Sequence, residues 1–228
     1  MAKKKSKSGL IKSLLVLGLV FGPALLLIFI SLNKCDHKFE ELPIYGNIGD
    51  FNFVTAEGKL LNQSTQKGKI TLYTTLQTTC PKNCAIDLAK FNLLLYQHYR
   101  KYQKNMSHIK FVSIVTDENG NPVDDLEEIT FLLEDLVEGY DPEIWSIVTG
   151  DPSQIYDIES NNVNLYTHKD DTSFAGKPYL ETMLIVDKHN NLRLIRRGNE
   201  EGLIRDFKEH VALLQKQYDK AAYKAKKE

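Results

Sequence analysis

The sequence predicts an α/β fold: a three-layer domain with a mixed central sheet and an added N-terminal hairpin, preceded by one transmembrane helix. Three observations carry this prediction. Residues 13–32 form an uninterrupted run without a charge. Four short runs rich in β-branched and aromatic residues, ITLYTTLQ, IKFVSIVT, IWSIV and TMLIV, read as buried strands. Segments of helical periodicity separate them, giving the order β-β-α-β-α-β-α-β-β-α with helices expected on both faces of the sheet.

The N-terminal part comes first. Twenty residues, SLLVLGLVFGPALLLIFISL, rise far enough as a helix to cover the ~30 Å of a bilayer core. Gly18, Gly22 and Pro23 are tolerated in such a span, and Lys3, Lys4, Lys5, Lys7 and Lys12 hold its N-terminus in the cytoplasm. No small-x-small cleavage site follows the run, and Lys34 before Cys35 argues against a lipid-modified cysteine. The expected organisation is a basic cytoplasmic segment (1–12), a transmembrane helix (13–32), a linker (33–45), a domain (46–215) and a charged C-terminal tail (216–228). The expected location is the cell membrane, single-pass, with the C-terminal domain periplasmic.

The formal net charge is −1, and it becomes −6 when the five lysines of the first twelve residues are set aside. A mildly acidic domain lacks the concentrated positive surface that nucleic acid requires, so nucleic acid is excluded as a partner.

The elements follow in order. FNFV (51–54) and the turn AEGK (56–59) form a short hairpin. ITLYTTLQ (70–77) is a central strand. Residues 85–102 repeat apolar side chains at helical spacing through Leu88, Phe91, Leu94 or Leu95, His98 and Tyr99. IKFVSIVT (109–116) is a second strand, closed by the turn Asp117 to Pro122. Residues 124–137 form a helix with acids in its first turn, where they suit the macrodipole. IWSIV (144–148) is a third strand, and Asp151 caps a short helix over 152–160. Residues 161–177 are polar and irregular, with VNLY (163–166) as a short strand, and form a candidate loop over a site. TMLIV (182–186) and LRLIR (192–196) make a final hairpin. A helix from Glu201 buries Leu203, Phe207, Val211 and Leu214.

The chemistry centres on Cys80 and Cys84, in TLYTTLQTTCPKNC, between a central strand and a helix N-terminus. α/β domains concentrate their sites at such junctions. Thiols four residues apart share one helical face, and free N–H groups at a helix start favour thiolate. The pair suits a soft metal such as Cu(I) or disulfide exchange. Cys35, in the tether, is a bystander.

These residues carry a resemblance. The string GNIGDFNFVTAEGKLLNQSTQKGKITLYTTLQTTCPKNCAIDLAKFNLL resembles the SCO/SenC family, thioredoxin-like copper chaperones for cytochrome c oxidase assembly. The similarity continues through IKFVSIVTDENGNPVDDLEEITFLL and WSIVTGDPSQIYDI and covers about residues 45–210. It implies a copper ion held by Cys80 and Cys84, and a cytochrome c oxidase subunit or another envelope thiol protein as partner, beside the membrane itself. The family's third ligand is a histidine just before the last hairpin, and this chain lacks it. Glu181 takes the matching place, with Tyr179 as the other alignment. His168, in the irregular loop, is the remaining candidate. His189 lies at the far end of a strand about 16 Å long, and Met183 reads as strand core.

Three functions follow. The first is a membrane-anchored protein delivering copper to, or maintaining the thiols of, cytochrome c oxidase. The second is a general extracytoplasmic thiol-disulfide oxidoreductase, with Cys80 as nucleophile and Cys84 as resolving thiol. The third is a non-catalytic envelope interaction domain with a structural disulfide.

Overall fold

The computed structural model describes residues 7–34, 41–78, 86–156, 159–160, 163–164 and 178–226. The chain divides into two units, Met1–Glu41 and Leu42–Glu228. In the first, α1 (Lys7–Lys34) is helical throughout and contains Pro23. Among the described residues no helix is long and apolar enough to cross a membrane. The transmembrane helix expected at 13–32 is corrected accordingly. So are the membrane as partner and the single-pass placement with a cytoplasmic N-terminus and a periplasmic domain, which rested on it.

The second unit is built on an eight-stranded mixed sheet. Its strands are β1 (Gly46–Asn47), β2 (Asn52–Thr55), β3 (Leu60–Asn62), β4 (Ile70–Gln77), β5 (Ile109–Thr116), β6 (Trp145–Thr149), β9 (Thr182–Val186) and β10 (Asn191–Arg197). A separate pair, β7 (Glu159–Ser160) and β8 (Val163–Asn164), lies between β6 and β9 in the chain. The order across the sheet is β1-β10-β9-β4-β5-β6-β2-β3. β4 pairs with β5, and β5 with β6, in parallel, while the other neighbours are antiparallel. β4 and β5 are buried along almost their whole length, as their unbroken apolar character requires of central strands. This mixed α/β sheet is consistent with the thioredoxin-like fold.

The helices of this unit are α2 (Gln63–Gln66), α3 (Leu88–Phe91), α4 (Gln97–Lys101), α5 (Gln103–Met106), α6 (Glu127–Leu136), α7 (Ser153–Tyr156) and α8 (Glu201–Ala225). A π-helical turn, Asn92–Tyr96, joins α3 to α4. The sequence predicts one regular helix over 85–102. The π turn widens it, so that Phe91 and Tyr96, five residues apart, both pack on Trp145 at 4.8 and 5.2 Å between ring centroids. α6 begins after Asp125, whose carboxylate accepts from Glu127 N–H at 2.9 Å.

Alternation along the strands divides the core in two. Ile70, Leu72, Phe111, Trp145, Met183 and Ile185 face a cluster that includes residues of α3, α4, α6 and α8. Tyr73, Val112, Ile114, Val148, Leu184 and Val186 face the other, filled by Ile48, Phe51, Phe53, α7 and the 3₁₀ turn Pro178–Leu180. The longer helices thus share one face, where the sequence predicts helices on both. The other face is closed by the N-terminal segment, whose large apolar residues supply the burial that a helix would otherwise provide. In β10 a bulge between Leu192 and Leu194 reverses the alternation, so these two residues enter opposite clusters. In α8 the buried face is Ile204, Phe207, Val211 and Leu214, with Leu203 only half-buried.

Candidate functional site

Cys35, Cys80, Cys84 and His168 lie outside the described residues. The chain on either side of 79–85 is described. Upstream, β4 ends beside β5, and Thr78 N–H donates to Thr116 C=O at 3.0 Å. The Gln77 amide donates to Glu118 C=O at 3.3 Å. The following turn is closed by the Asp117 carboxylate, which accepts from the N–H groups of Asn119 and Asn121 at 2.8 Å each. Gly120 takes φ 75° there, a conformation that glycine adopts without steric cost.

Downstream, Asp87 caps α3 and accepts from Lys90 N–H at 3.0 Å. Burial pushes the Asp87 carboxyl up. The side-chain and backbone hydrogen bonds from Lys90 outweigh it and hold the group below its ordinary value. A backbone relay ties this helix start to the last hairpin. Asp87 N–H donates to Gly198 C=O at 3.1 Å, and Gly198 N–H donates to Glu181 C=O at 2.7 Å. Gly198 is in close quarters. A Cβ there would stand 2.8 Å from Met183 Sδ and 3.0 Å from Ile86 Cγ1.

The structure therefore brings Glu181 beside the end of β4 and close to the residues that follow Cys84. Its carboxylate is buried, with Arg197 Nε at 3.2 Å and the Asn199 amide donating at 3.4 Å. Tyr179 is buried too, and its hydroxyl donates to Gly120 C=O at 2.5 Å. That bond joins the 3₁₀ turn before Glu181 to the turn after β5, while Thr75 Oγ1 donates to Leu180 C=O at 3.1 Å. His189 sits in the hairpin turn at the opposite end of β9, its ring 6.3 Å from that of Tyr218. Met183 is fully buried in the core.

Arg197, Asn199 and Gly198 complete these surroundings, and sequence reasoning did not single them out. The signal was the hairpin register. Arg197 pairs with Thr182, which sets residues 198 and 199 against Glu181.

The family model of SCO1/SenC matches residues 45–203, most of the chain. The chain belongs to the SCO1/SenC family. Solved structures are similar to this chain. An electron transport protein of proposed function from Aquifex aeolicus VF5 superposes with a TM-score of 0.51 at 16% identity, covering 75% of this chain and 98% of its own. Yeast Sco1 gives 0.49 at 19%, covering 75% and 99%. A SCO1/SenC family lipoprotein from Bacillus anthracis str. Ames gives 0.47 at 19%, covering 74% and 97%. No curated protein matches the sequence.

Membership makes copper a question for the donor set. Among the described residues no group of three His, Cys, Asp or Glu side chains is placed to hold a metal ion. Glu181, expected from the sequence to take the place of the family's histidine, is a hard oxygen donor already engaged by Arg197 and Asn199. A Cu(I) site calls for soft donors, and the described residues do not fit one. The expected membrane-anchored delivery of copper to cytochrome c oxidase is corrected on these two grounds, the donor set and the lack of a spanning helix among the described residues.

Proposed function

We propose that this SCO1/SenC protein is a thiol-disulfide oxidoreductase acting through Cys80 and Cys84. The observation that carries the reading is the fate of the third ligand position. Glu181 is buried against Arg197, so the chain has spent that position on an ion pair. Two-thiol exchange needs no third ligand. The surroundings suit it as well: the described chain on either side of the thiol segment is the end of a central parallel strand and a capped helix start, the kind of junction where α/β domains place their sites.

The reaction balances within the pair and its target. The Cys80 thiolate attacks one sulfur of a partner disulfide, forming a mixed disulfide and releasing the partner's other sulfur as thiolate, which takes up a proton. Cys84, deprotonated, attacks Cys80 Sγ and releases the second partner thiolate. Two electrons pass to the partner, and Cys80–Cys84 becomes the disulfide. The reverse sequence oxidises a partner dithiol. The partner is accordingly a redox-active thiol protein. If copper is bound as well, its donors are Cys80 and Cys84 with His168, not Glu181.

The test is a redox titration of the purified full chain against glutathione, followed by thiol trapping. The expected result is a potential above about −300 mV, exchange lost in Cys80→Ser, and a trapped mixed disulfide in Cys84→Ser. A potential below that value, with no exchange, would overturn the proposal in favour of a structural disulfide.

A further inference from the structure

We propose that a groove along α6 docks an extended, basic and apolar segment of the thiol protein on which the pair acts. Phe131, Leu132 and Leu136 stand on α6 with 72%, 41% and 59% of their surface exposed. Three large apolar side chains on a ten-residue helix are more than scattered surface exposure. Two cavities meet at Phe131 and share Asp125 with it. The smaller, about 390 Å³, reaches Thr78 at the end of β4. The larger, about 610 Å³, reaches Val54 on β2 and Thr149 on β6. Together they make one groove that starts at Thr78, at the end of β4, and crosses α6 towards the edge hairpin. Thr78 is two residues before Cys80 in the chain.

Charge selects the occupant. Residues 117–138 contain nine acids and neither Lys nor Arg. Asp125 and Glu128 line the smaller cavity, and Glu127 and Glu134 the larger. An acidic segment or an anionic membrane surface would meet like charge along the whole groove, whereas Lys and Arg complement it. The apolar floor requires apolar side chains between those charges. A strand-like segment presents the two kinds alternately on opposite faces, which suits a groove with an apolar floor and acidic walls. The basic character of the segment follows from the groove alone. That it belongs to a thiol protein rests on the oxidoreductase reading.

The test uses the full chain and three labelled, cysteine-free octapeptides, followed by fluorescence anisotropy. One alternates Lys and Leu, one Glu and Leu, one Lys and Ser. The Lys–Leu peptide is expected to bind at least tenfold more tightly than either other peptide, and progressively less tightly with added salt. Phe131→Ser with Leu132→Ser should weaken it at least tenfold. Asp125→Asn with Glu128→Gln should weaken it and flatten the salt dependence. All four side chains are on the surface, and circular dichroism verifies that the variants are folded. Equal binding of the Glu–Leu peptide, or binding unchanged in both double variants, overturns the proposal. So does concentration-dependent dimerisation abolished by Phe131→Ser, which would assign the groove to a second copy, or binding of anionic vesicles in place of the peptide. Because the peptides carry no cysteine, failed exchange by the thiol pair leaves this result standing, and the two ideas fall separately.

Discussion

Arg193 holds together three parts of this domain through one buried guanidinium. It sits at the β10 bulge with its guanidinium against Asp187 at 2.8 Å, both side chains almost wholly buried. It also donates to Pro43 C=O at 3.0 Å, Leu42 C=O at 2.6 Å and Gln217 Oε1 at 3.2 Å. One side chain therefore fastens the start of the second unit, the last hairpin and α8. Arg193→Met keeps most of the volume and removes every one of these donors. It leaves a buried carboxylate without its cation, which costs about 3–5 kcal/mol. For a chain of this size that corresponds to a fall of roughly 6–20 °C in Tm. Thermal and urea unfolding followed by circular dichroism measure it. Adding Asp187→Asn removes the stranded charge, so the double variant should be more stable than Arg193→Met alone. The pH dependence is a second readout. Burial pushes the Asp187 carboxyl up, but the N–H groups of Asn191 and His189, with Arg193, outweigh it and hold it below 3.8. A carboxyl depressed on folding stabilises above its unfolded value and loses that contribution as pH falls through the folded one. The gap between wild type and Arg193→Met should hold at neutral pH and close below about pH 3.8. A loss under about 1 kcal/mol at pH 7 would refute the reasoning, since it would equal an exposed pair.

Other perturbations test the site and the core. Gly198→Ala sets a methyl against Met183 and Ile86. It is expected to cost about 1–3 kcal/mol in urea unfolding and to slow thiol exchange by shifting the start of α3; an unchanged exchange rate would disconnect Gly198 from the thiol segment. Arg197→Met should destabilise more than Glu181→Gln, by about 1 kcal/mol or more. The first removes the cation from a buried carboxylate, while the second leaves an arginine already 57% exposed; equal losses would contradict this. Ser113→Ala removes the acceptor of Trp145 Nε1–H at 2.9 Å and the partner of Thr74 Oγ1 at 2.7 Å. A cost of about 1–3 kcal/mol is expected from the unpaired buried groups, with a shift in Trp145 fluorescence. Phe207→Ala, fully buried at the base of α8, should cost about 3–5 kcal/mol.

Much of the fold was legible in one dimension because its signals are local. The strands at 70–77, 109–116 and 182–186 are visible as runs of β-branched and aromatic residues, and these bounds match the observed β4, β5 and β9. The turns at Asp117 and Asp187 are written in Asp, Asn and Gly, and Asn190 adopts φ 64° as such a turn requires. Membership in the SCO1/SenC family was likewise readable from the order of the motifs, and the family model bears it out. Other features depend on residues distant in the chain. The π turn at Asn92–Tyr96 arises where Phe91 and Tyr96 must both meet Trp145, some fifty residues on. The gathering of the longer helices on one face depends on Ile48, Phe51 and Phe53 filling the other.

The candidate site divides the same way. A sequence states which residue types are present and how they are spaced, so it determined the presence and spacing of Cys80 and Cys84 and the absence of a histidine from residues 169–188. It carries no information on what a side chain touches across a hairpin. Only the tertiary structure decided that Glu181 is bound to Arg197 and Asn199, and that Gly198 links it to the helix start at Asp87. The physical reason is that burying a carboxylate is costly until a cation and a donor reach it, and both come from β10 and the residues after it, brought alongside by pairing. That burial leaves Glu181 as one half of a neutralised pair.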